Sequence, residues 1–459
     1  MKQRAAVIKS KIFVIYFIFL RYMAAHDDAW SHSHVEKCTN TDIERNFCFH
    51  HLIGRGGFAS VLLVSEKRTG QPRAIKAVPK QVVENGGRHA KRRALLELEV
   101  LQCYSSRNPF LVQLTSLRSG PDHWFLVLEY CPGGSLSAHL REARRQYRAR
   151  REERLQHRAE VAARNIAPCH SSVFSRGIGE AKSRFYAVQI LCAVSFLHRN
   201  GILHRDLKPS NVLVGTDGHV RLTDFGTCKD LGCNAESASD SDLRRLGTKL
   251  GTTDYMAPEV LRGHEYGKGA DWWSFGVLLH ELILGILPFT GHCESDVIGM
   301  IVTDVDPTII DRHGVLSVES MDLLLLLLRK DSNSRFGSAP MGAQKILEHP
   351  WFLLGDANVD SIRNRACQPP WKPELRKGAL DIEWVNKKWL DQNWSLPGTA
   401  VEVGPHRVGG ATVGEQRSPS LEPLSEKRAP LKPSLDALLF MFCCGEAREA
   451  SGPSPSPRS

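Results

Sequence analysis

The sequence predicts a two-lobed α+β protein, with a small, mostly β lobe followed by a large, mostly α lobe. Three observations support this. Strand-like runs crowd into the first third of the chain, Pro132-Gly133-Gly134 interrupts regular structure, and the apolar segments beyond that break recur at helical spacing. With 459 residues, 42% hydrophobic and 24% charged, the chain has room for one two-lobed globular unit with extensions at both ends.

Along the chain, a strand starts near Phe47 and passes through Leu52 and Ile53 into a cluster of glycines, and Val61 to Val64 forms the next strand. Strand, glycine turn and strand make a hairpin able to fold over a ligand. Arg73 to Val78 is a third strand, and Arg88 to Gln102 carries Ala94, Leu95, Leu98 and Leu101 on one helical face. Phe125 to Leu128 reads as a buried strand that ends in a hinge at Glu129-Tyr130-Cys131-Pro132-Gly133-Gly134. Phe185 to His198, Trp272 to Leu284 and Met321 to Leu328 read as buried helices of the large lobe. From Gly398 onward the Gly, Pro, Ser and charge content buries too little apolar surface to offset ordering entropy, and that tail is expected to be mostly disordered. The expected layout is a leader over 1–46, a domain over 47–352, an extension over 353–397 and a tail over 398–459. The domain divides into a small lobe at 47–128 and a large lobe at 132–352, with an insert at about 141–179.

The formal net charge is +10, and half of it sits in one block: nine arginines and four glutamates lie between Arg141 and Arg164. A solvated, charged surface insert is the expectation for this block. A partner would be anionic lipid or an acidic protein; nucleic acid is disfavoured because aromatics for base stacking are nearly missing from it. The twelve cysteines have no metal-type or disulfide-framework spacing, which fits free thiols in a reducing, cytoplasmic setting. Lys2, Arg4, Lys9 and Lys11 precede the apolar run Ile12 to Leu20, with Met23-Ala24-Ala25 beyond it. This is the layout of a secretory signal or signal-anchor, or else of a basic leader. At nine residues, the run is shorter than the roughly 20 needed to span a bilayer as a helix. Cys443-Cys444, behind Leu438 to Phe442, is a second candidate for membrane attachment, through palmitoylation.

Gly54-Arg55-Gly56-Gly57-Phe58-Ala59-Ser60-Val61 sits on the predicted hairpin, where missing side chains let backbone N–H groups approach phosphate oxygens. Alone, such a loop is an ordinary glycine hairpin. Downstream, however, come His204-Arg205-Asp206-Leu207-Lys208-Pro209-Ser210-Asn211, then Asp224-Phe225-Gly226, then Ala257-Pro258-Glu259. These blocks, in this order, resemble the catalytic loop, metal-binding turn and activation-segment end of eukaryotic protein kinases. From about Phe47 to Phe352 the chain resembles a serine/threonine protein kinase. The AGC group, which includes cyclic-nucleotide-dependent and C-type kinases, is indicated by further motifs: Asn108 to Val112, Arg184-Phe185-Tyr186-Ala187, Asp271 to Gly276, His349-Pro350-Trp351-Phe352 and Pro369-Pro370-Trp371-Lys372-Pro373.

The resemblance implies the two-lobed kinase fold, protein substrates with serine or threonine acceptors, and ATP and Mg²⁺ in the cleft. It implies that Asp206 is the base and that Lys208 stabilises the transferring phosphoryl group. Lys76 and Glu97 would be the lysine and glutamate pair, with Glu99 a rival on the opposite helix face, and Thr252 would bond both base and lysine. Asn211 and Asp224 would hold the metal. ATP would contact Ile53, Gly54, Arg55, Gly56, Gly57, Phe58, Ala59, Ser60, Val61, Ala74, Lys76, Leu128, Glu129 and Cys131. Regulation would run through an upstream kinase acting on Thr248, with the phosphate held by Arg205, Lys229 and Arg93; Ser237, Ser239 and Ser241 are competing acceptors. Glu259 and Arg335 would form a buried ion pair.

The chain departs from the pattern in four places. Ala59 replaces the third loop glycine. Ser135 and Ser210 stand where basophilic members carry acids, so that of these positions only Glu281 keeps a carboxylate. The insert adds some 35 residues, and no Phe-x-x-Phe closes the extension. The rival reading is a pseudokinase scaffold; such proteins usually lose the equivalents of Lys76, Asp206 or Asp224, all of which are kept here.

Overall fold

The computed structural model describes residues 36–56, 59–163, 175–231, 252–303, 310–311, 314–338, 342–355, 358–374, 394–395 and 402–403. The expectations for the leader run, Gly57, Phe58, Thr248, the serines at 237 to 241, most of the tail and the Cys443-Cys444 pair lie outside these residues.

The small lobe is one six-stranded sheet in the order β1-β5-β6-β4-β3-β2. It begins with β1 (Glu36–Lys37) and helix α1 (Asn40–Asn46), both ahead of the predicted domain start at Phe47. Thr39 opens α1 with a capping box, its hydroxyl accepting from Asp42 N while Asp42 accepts from Thr39 N. α1 buries Ile43 completely against Phe47, Leu52 and Phe125, so the ordered lobe starts at least as early as Glu36. β2 (Phe47–Arg55), β3 (Ser60–Glu66) and β4 (Pro72–Pro79) form an antiparallel run in which Ala74 stands opposite both Leu63 and Leu128. After the short α2 (Lys80–Asn85), α3 (Gly87–Tyr104) packs on the other wall of the cleft, and β5 (Leu114–Ser119) and β6 (His123–Glu129) close the sheet.

Past the hinge the protein is mostly helical. α4 (Leu136–Ala163) runs unbroken from the hinge into the arginine block. α5 (Glu180–Arg199) is the long core helix. The catalytic-loop residues then lie between β7 (Ile202–Leu203) and the hairpin β8 (Val212–Val214) and β9 (Val220–Leu222), with β10 (Lys229–Asp230) pairing back onto β7. α6 (Pro258–Arg262) precedes α7 (Lys268–Leu284), which is buried along nearly its whole length. α8 (Glu294–Val302), α9 (Val318–Leu327), α10 (Gly342–Leu347), α11 (Pro350–Leu353) and α12 (Val359–Arg363) complete the lobe, and Trp394–Ser395 pairs with Glu402–Val403 beyond it. No helix among the described residues is long and apolar enough to cross a membrane.

The insert is solvated in its middle, where Arg148, Arg150 and Arg151 are exposed, yet both of its ends are docked. A helix C-terminus leaves its last carbonyls without intrahelical partners, and the return of the insert satisfies those of α7. Ile178 N donates to Leu282 O at 2.8 Å, Ser175 Oγ donates to Ile283 O, and Arg144 Nε donates to Gly285 O at 2.7 Å. Arg176 lies over the Tyr147 ring at 5.2 Å, tying the two ends to each other. A side chain at Gly177 would put its Cβ 2.3 Å from the carbonyl oxygens of Leu282 and Ile283, and these are backbone atoms that cannot swing aside. Gly177→Ala is therefore expected to cost about 1–3 kcal/mol and to lower the thermal midpoint by several degrees, whereas Arg150→Ala should leave it within a degree; differential scanning calorimetry of both variants checks this.

Candidate active site

The cleft between the lobes is built from elements that each bring one side chain. β4 carries Lys76, and α3 carries Glu97 on the face turned to the sheet. The two form a direct ion pair. Lys76 Nζ is also 3.8 Å from Asp224 Oδ1. Burial lowers the Lys76 pKa, but Glu97 and Asp224 together outweigh it, and the net shift is upward, so the ammonium stays charged.

Asp206 is buried in a loop whose backbone is fixed from below. Asp271, on α7 and 1% exposed, accepts from His204 N at 2.9 Å and Arg205 N at 2.8 Å, and its Oδ2 lies 2.7 Å from His198 Nε2. Burial alone would raise the Asp271 pKa. The His198 hydrogen bond and charge, joined by His204, overcome it and hold the carboxyl below its ordinary value. His204 shifts downward, because desolvation exceeds the pull of Asp271 and Asp206, and its ring packs edge-on to Phe225 at 5.8 Å. Arg205 adopts a left-handed backbone (φ 66°), a conformation that side chains rarely take and that the Asp271 bonds keep in place.

Around the base, Lys208 Nζ sits 2.8 Å from Asp206 Oδ2, and Asn211 Nδ2 donates to Asp206 O at 2.8 Å and Oδ2 at 2.9 Å. With its amide nitrogen so committed, Asn211 keeps Oδ1 as an acceptor, and Ser210 Oγ lies 3.5 Å from it. Asp224 is left-handed as well (φ 64°), and its side chain is 46% exposed. A carboxylate and an amide oxygen are hard donors of the kind that suit Mg²⁺.

Most residues expected on the nucleotide side lie on the β2-β3 hairpin and the strands beside it. Gly54 pairs with Val61 and Arg55 with Ser60 across the β2-β3 hairpin, and Gly56 N donates to Ala59 O at 2.8 Å to close the turn. Ile53, Ala59 and Val61 pack partly buried on the core, and Ala74 stands opposite Leu128 in the sheet. The Glu129 carboxylate accepts from Arg221 Nε at 3.0 Å and from Gln113 N at 2.8 Å, and its own N–H donates to Gln113 O at 3.0 Å. Cys131 is fully buried, and desolvation pushes its thiol well above the ordinary range.

Thr252 departs from its expected role. It opens the turn Thr253–Tyr255 with an exposed side chain, and among the described residues no hydrogen bond joins it to Asp206 or Lys208; Lys208 gives its ammonium to Asp206 instead. Arg205 donates to Thr227 O at 2.6 Å, Cys228 O at 3.0 Å and Tyr266 Oη at 3.2 Å, and Lys229 lies over the same Tyr266 ring at 5.3 Å. Arg93 is close enough to Arg205 to have its pKa lowered, first by burial and then by that like charge, and its Nε and Nη2 have no partner among the described residues. Glu259 and Arg335 form the expected bidentate pair at 2.6 and 2.8 Å. Asp271 is the residue that the sequence reading passed over. It appeared only as a motif letter; its signal was an acid inside an otherwise apolar helix, a position where a charge needs a built partner.

The model of the protein kinase domain matches residues 47–352. The RAC-beta serine/threonine-protein kinase of Homo sapiens is 32% identical over 351 residues, covering 76% of this chain and 62% of that protein. Protein kinase C eta type of Mus musculus is 32% identical over 334 residues, 72% of this chain and 41% of that protein. The putative protein kinase C delta type homolog of Drosophila melanogaster is 33% identical over 344 residues, 74% and 44% respectively. The chain thus spans less than two thirds of the length of these relatives, and the similarity is to AGC-like serine/threonine kinases.

Asp271→Asn keeps the shape and deletes the charge. A carboxyl whose folded pKa is depressed contributes stability that is fully present above the unfolded value of about 4 and is lost as pH falls through the lower folded value. The variant is expected to lose about 3 kcal/mol or more near neutral pH and to show a shallower acid limb below about pH 4; thermal midpoints measured from pH 3 to 8 for both proteins check it.

Proposed function

Because the chain belongs to the protein kinase domain family over residues 47–352, we propose that it transfers the γ-phosphoryl group of MgATP to serine and threonine hydroxyls of proteins. The observation that carries this reading is the joint placement of Asp206, Lys208, Asn211 and Asp224 on the large-lobe side of the cleft and of Lys76 and Glu97 on the small-lobe side, with Lys76 reaching across to Asp224. In Asp206, Oδ2 is held by Lys208 and Asn211, which leaves Oδ1 to accept the proton of an incoming hydroxyl. Lys208, beside that carboxylate, adds positive charge where the transferring group becomes more anionic. Lys76 binds the α- and β-phosphates as a point charge, and Glu97 fixes where that charge points. Bound Mg²⁺, held by Asn211 Oδ1 and Asp224, would neutralise phosphate charge. The glycine hairpin covers the phosphates and excludes water. A scaffold without catalysis would have no use for this retained set.

The proposal includes control by an upstream kinase acting on Thr248. Support comes from the convergence of Arg205, Arg93 and Lys229, since a phosphate there would receive charge-assisted hydrogen bonds and relieve the like-charge proximity of the two arginines. It also includes a cytoplasmic site of action, for which the scattered thiols argue, with membrane association through either terminus as the alternative.

With labelled ATP and a serine/threonine peptide library, the protein is expected to transfer phosphate in a Mg²⁺-dependent manner. Asp206→Asn should fall by about 10²–10⁴-fold, and Thr248→Ala should be lower than the parent; full activity in the latter would remove Thr248 from the scheme, and transfer by Asp206→Asn at the parent rate would overturn the assignment of the base.

A further inference from the structure

We propose that Arg144 determines substrate class: it closes the Glu281 carboxylate to basic side chains and turns the acceptor side of the cleft toward acidic polypeptides. The inference rests on the kinase reading above for the location of the acceptor at Asp206.

The location follows from backbone contacts. Ser135 bridges to Leu213, Gly133 N donates to Val214 O, and the first turns of α4 pack on Pro209–Asn211, so this helix borders the catalytic loop. Glu281, near the end of α7, is joined through its Oε2 to the hydroxyl of Tyr255, three residues after Thr252. A polypeptide that presents its hydroxyl to Asp206 passes between these two elements.

The chemistry of that passage is set by which charges remain uncommitted. Glu281 Oε1 receives Arg144 Nη2 at 2.6 Å, its other oxygen receives Tyr255, and the carboxylate is only 9% exposed. Arg144 Nε simultaneously donates to Gly285 O, so the guanidinium is held at two points with its plane fixed, a grip that a lysine could not reproduce. Burial and the Glu281 charge both hold the Tyr255 phenol in its protonated, donating form. A substrate arginine would have to displace Arg144 from Glu281 and leave it beside the Gly285 carbonyl without its counter-charge. Of the acids nearby, Glu142 is bonded to Arg145 and Gln146, Glu294 accepts from Thr253 and Asp254 stands beside Tyr255, while Ser135 and Ser210 are neutral. Arg141, Arg145 and Arg148, by contrast, are exposed along the same helix. The surface that meets the substrate is therefore basic, with its one buried acid neutralised from within the chain, and the complementary partner carries Asp or Glu near its acceptor.

The test compares two fluorescein-labelled peptides that share a serine and differ only in carrying three aspartates or three arginines before it. Binding is read by fluorescence anisotropy to the full chain in the Asp206→Asn background, so that the result does not depend on turnover. The aspartate peptide is expected to bind about tenfold tighter, and Arg144→Ala should shift the ratio about tenfold toward the arginine peptide. Arg144→Met, which keeps the aliphatic stem, serves as a second variant should the alanine fail to fold. Adding Glu281→Gln should cancel the gain for the arginine peptide, which a merely structural role of Arg144 would not predict. Preference of the parent for the arginine peptide, binding of neither, or an unchanged ratio in the Arg144 variants overturns the proposal. Phosphate transfer from MgATP by the protein with native Asp206, assayed separately on a serine/threonine library, decides the kinase reading on its own.

Discussion

A single buried carboxylate, Asp271, carries the catalytic loop. A loop that turns Asp206, Lys208 and Asn211 toward one another leaves part of its backbone unpaired, and without Asp271 the consecutive N–H groups of His204 and Arg205 would lack these partners. The protein solves this by placing an acid in the first turn of its most buried helix, where the positive end of the helix dipole favours it. Both of its oxygens are then used, one by Arg205 N and the other by His204 N and His198. The left-handed turn at Arg205 follows from this arrangement, since both N–H groups can point at one carboxylate only if the chain reverses there. In turn, that conformation sends the Arg205 side chain to the carbonyls of Thr227 and Cys228, just past Asp224. Asp206, the turn at Asp224 and Arg205 are thus referred to one fixed point on α7.

The small lobe is referred to the same point less directly. Lys76 reaches both Glu97 and Asp224, so the sheet, α3 and the segment from Phe225 to Thr227 meet at one ammonium. Arg93, one turn earlier on α3, brings a guanidinium near Arg205 with two of its nitrogens lacking partners among the described residues. Two cations in proximity are unfavourable without an anion, so α3 gains a reason to approach the large lobe when a phosphate lies between them. A phosphate at that place would couple the pairing of Lys76 and Glu97 to the two arginines by electrostatics.

Much of this was legible in the sequence, for physical reasons that differ by element. β2, β3, β4 and β6 announced themselves because buried strands read as continuous apolar runs, and α3, α5 and α7 because their apolar spacing is helical. β5 escaped notice because Leu114-Thr115-Ser116-Leu117-Arg118-Ser119 alternates weakly, and α1 because its signal is a capping box rather than a hydrophobic run. The site residues were legible as chemistry, but their allocation was not. That Glu129 spends its carboxylate on Arg221, that Lys208 turns to Asp206 and that Thr252 stays exposed all depend on which neighbour arrives first in three dimensions. The insert shows the limit most clearly. Its composition reads as a solvated charged block, and its middle is one, but the docking of Arg144, Ser175 and Ile178 depends on where the C-terminus of α7 lies in space.

The hinge shows the same distinction between composition and geometry. Pro132-Gly133-Gly134 reads as a flexible break, and Gly134 does need its positive φ of 67°. Gly133 serves another purpose. A Cβ there would lie 2.8 Å from Val214 and 3.0 Å from the Trp371 ring, so the glycine is present because two other parts of the chain press against the backbone. His139 Nε2 donates to Gly133 O at 2.9 Å, and its ring packs edge-on to Trp371 at 4.7 Å. At Gly218 the Trp371 carbonyl and Pro369 approach closely enough to exclude any side chain, while Arg365 pairs with Asp217. The segment after the domain therefore lies along the hinge and the β8-β9 turn, and Asp217 links it through Arg221 to Glu129. A chain of contacts from Trp371 and Arg365 to Glu129 connects the extension to the strand end that borders the nucleotide side of the cleft. The hinge of this protein is consequently a packed junction, and movement between the lobes has to carry the extension with it.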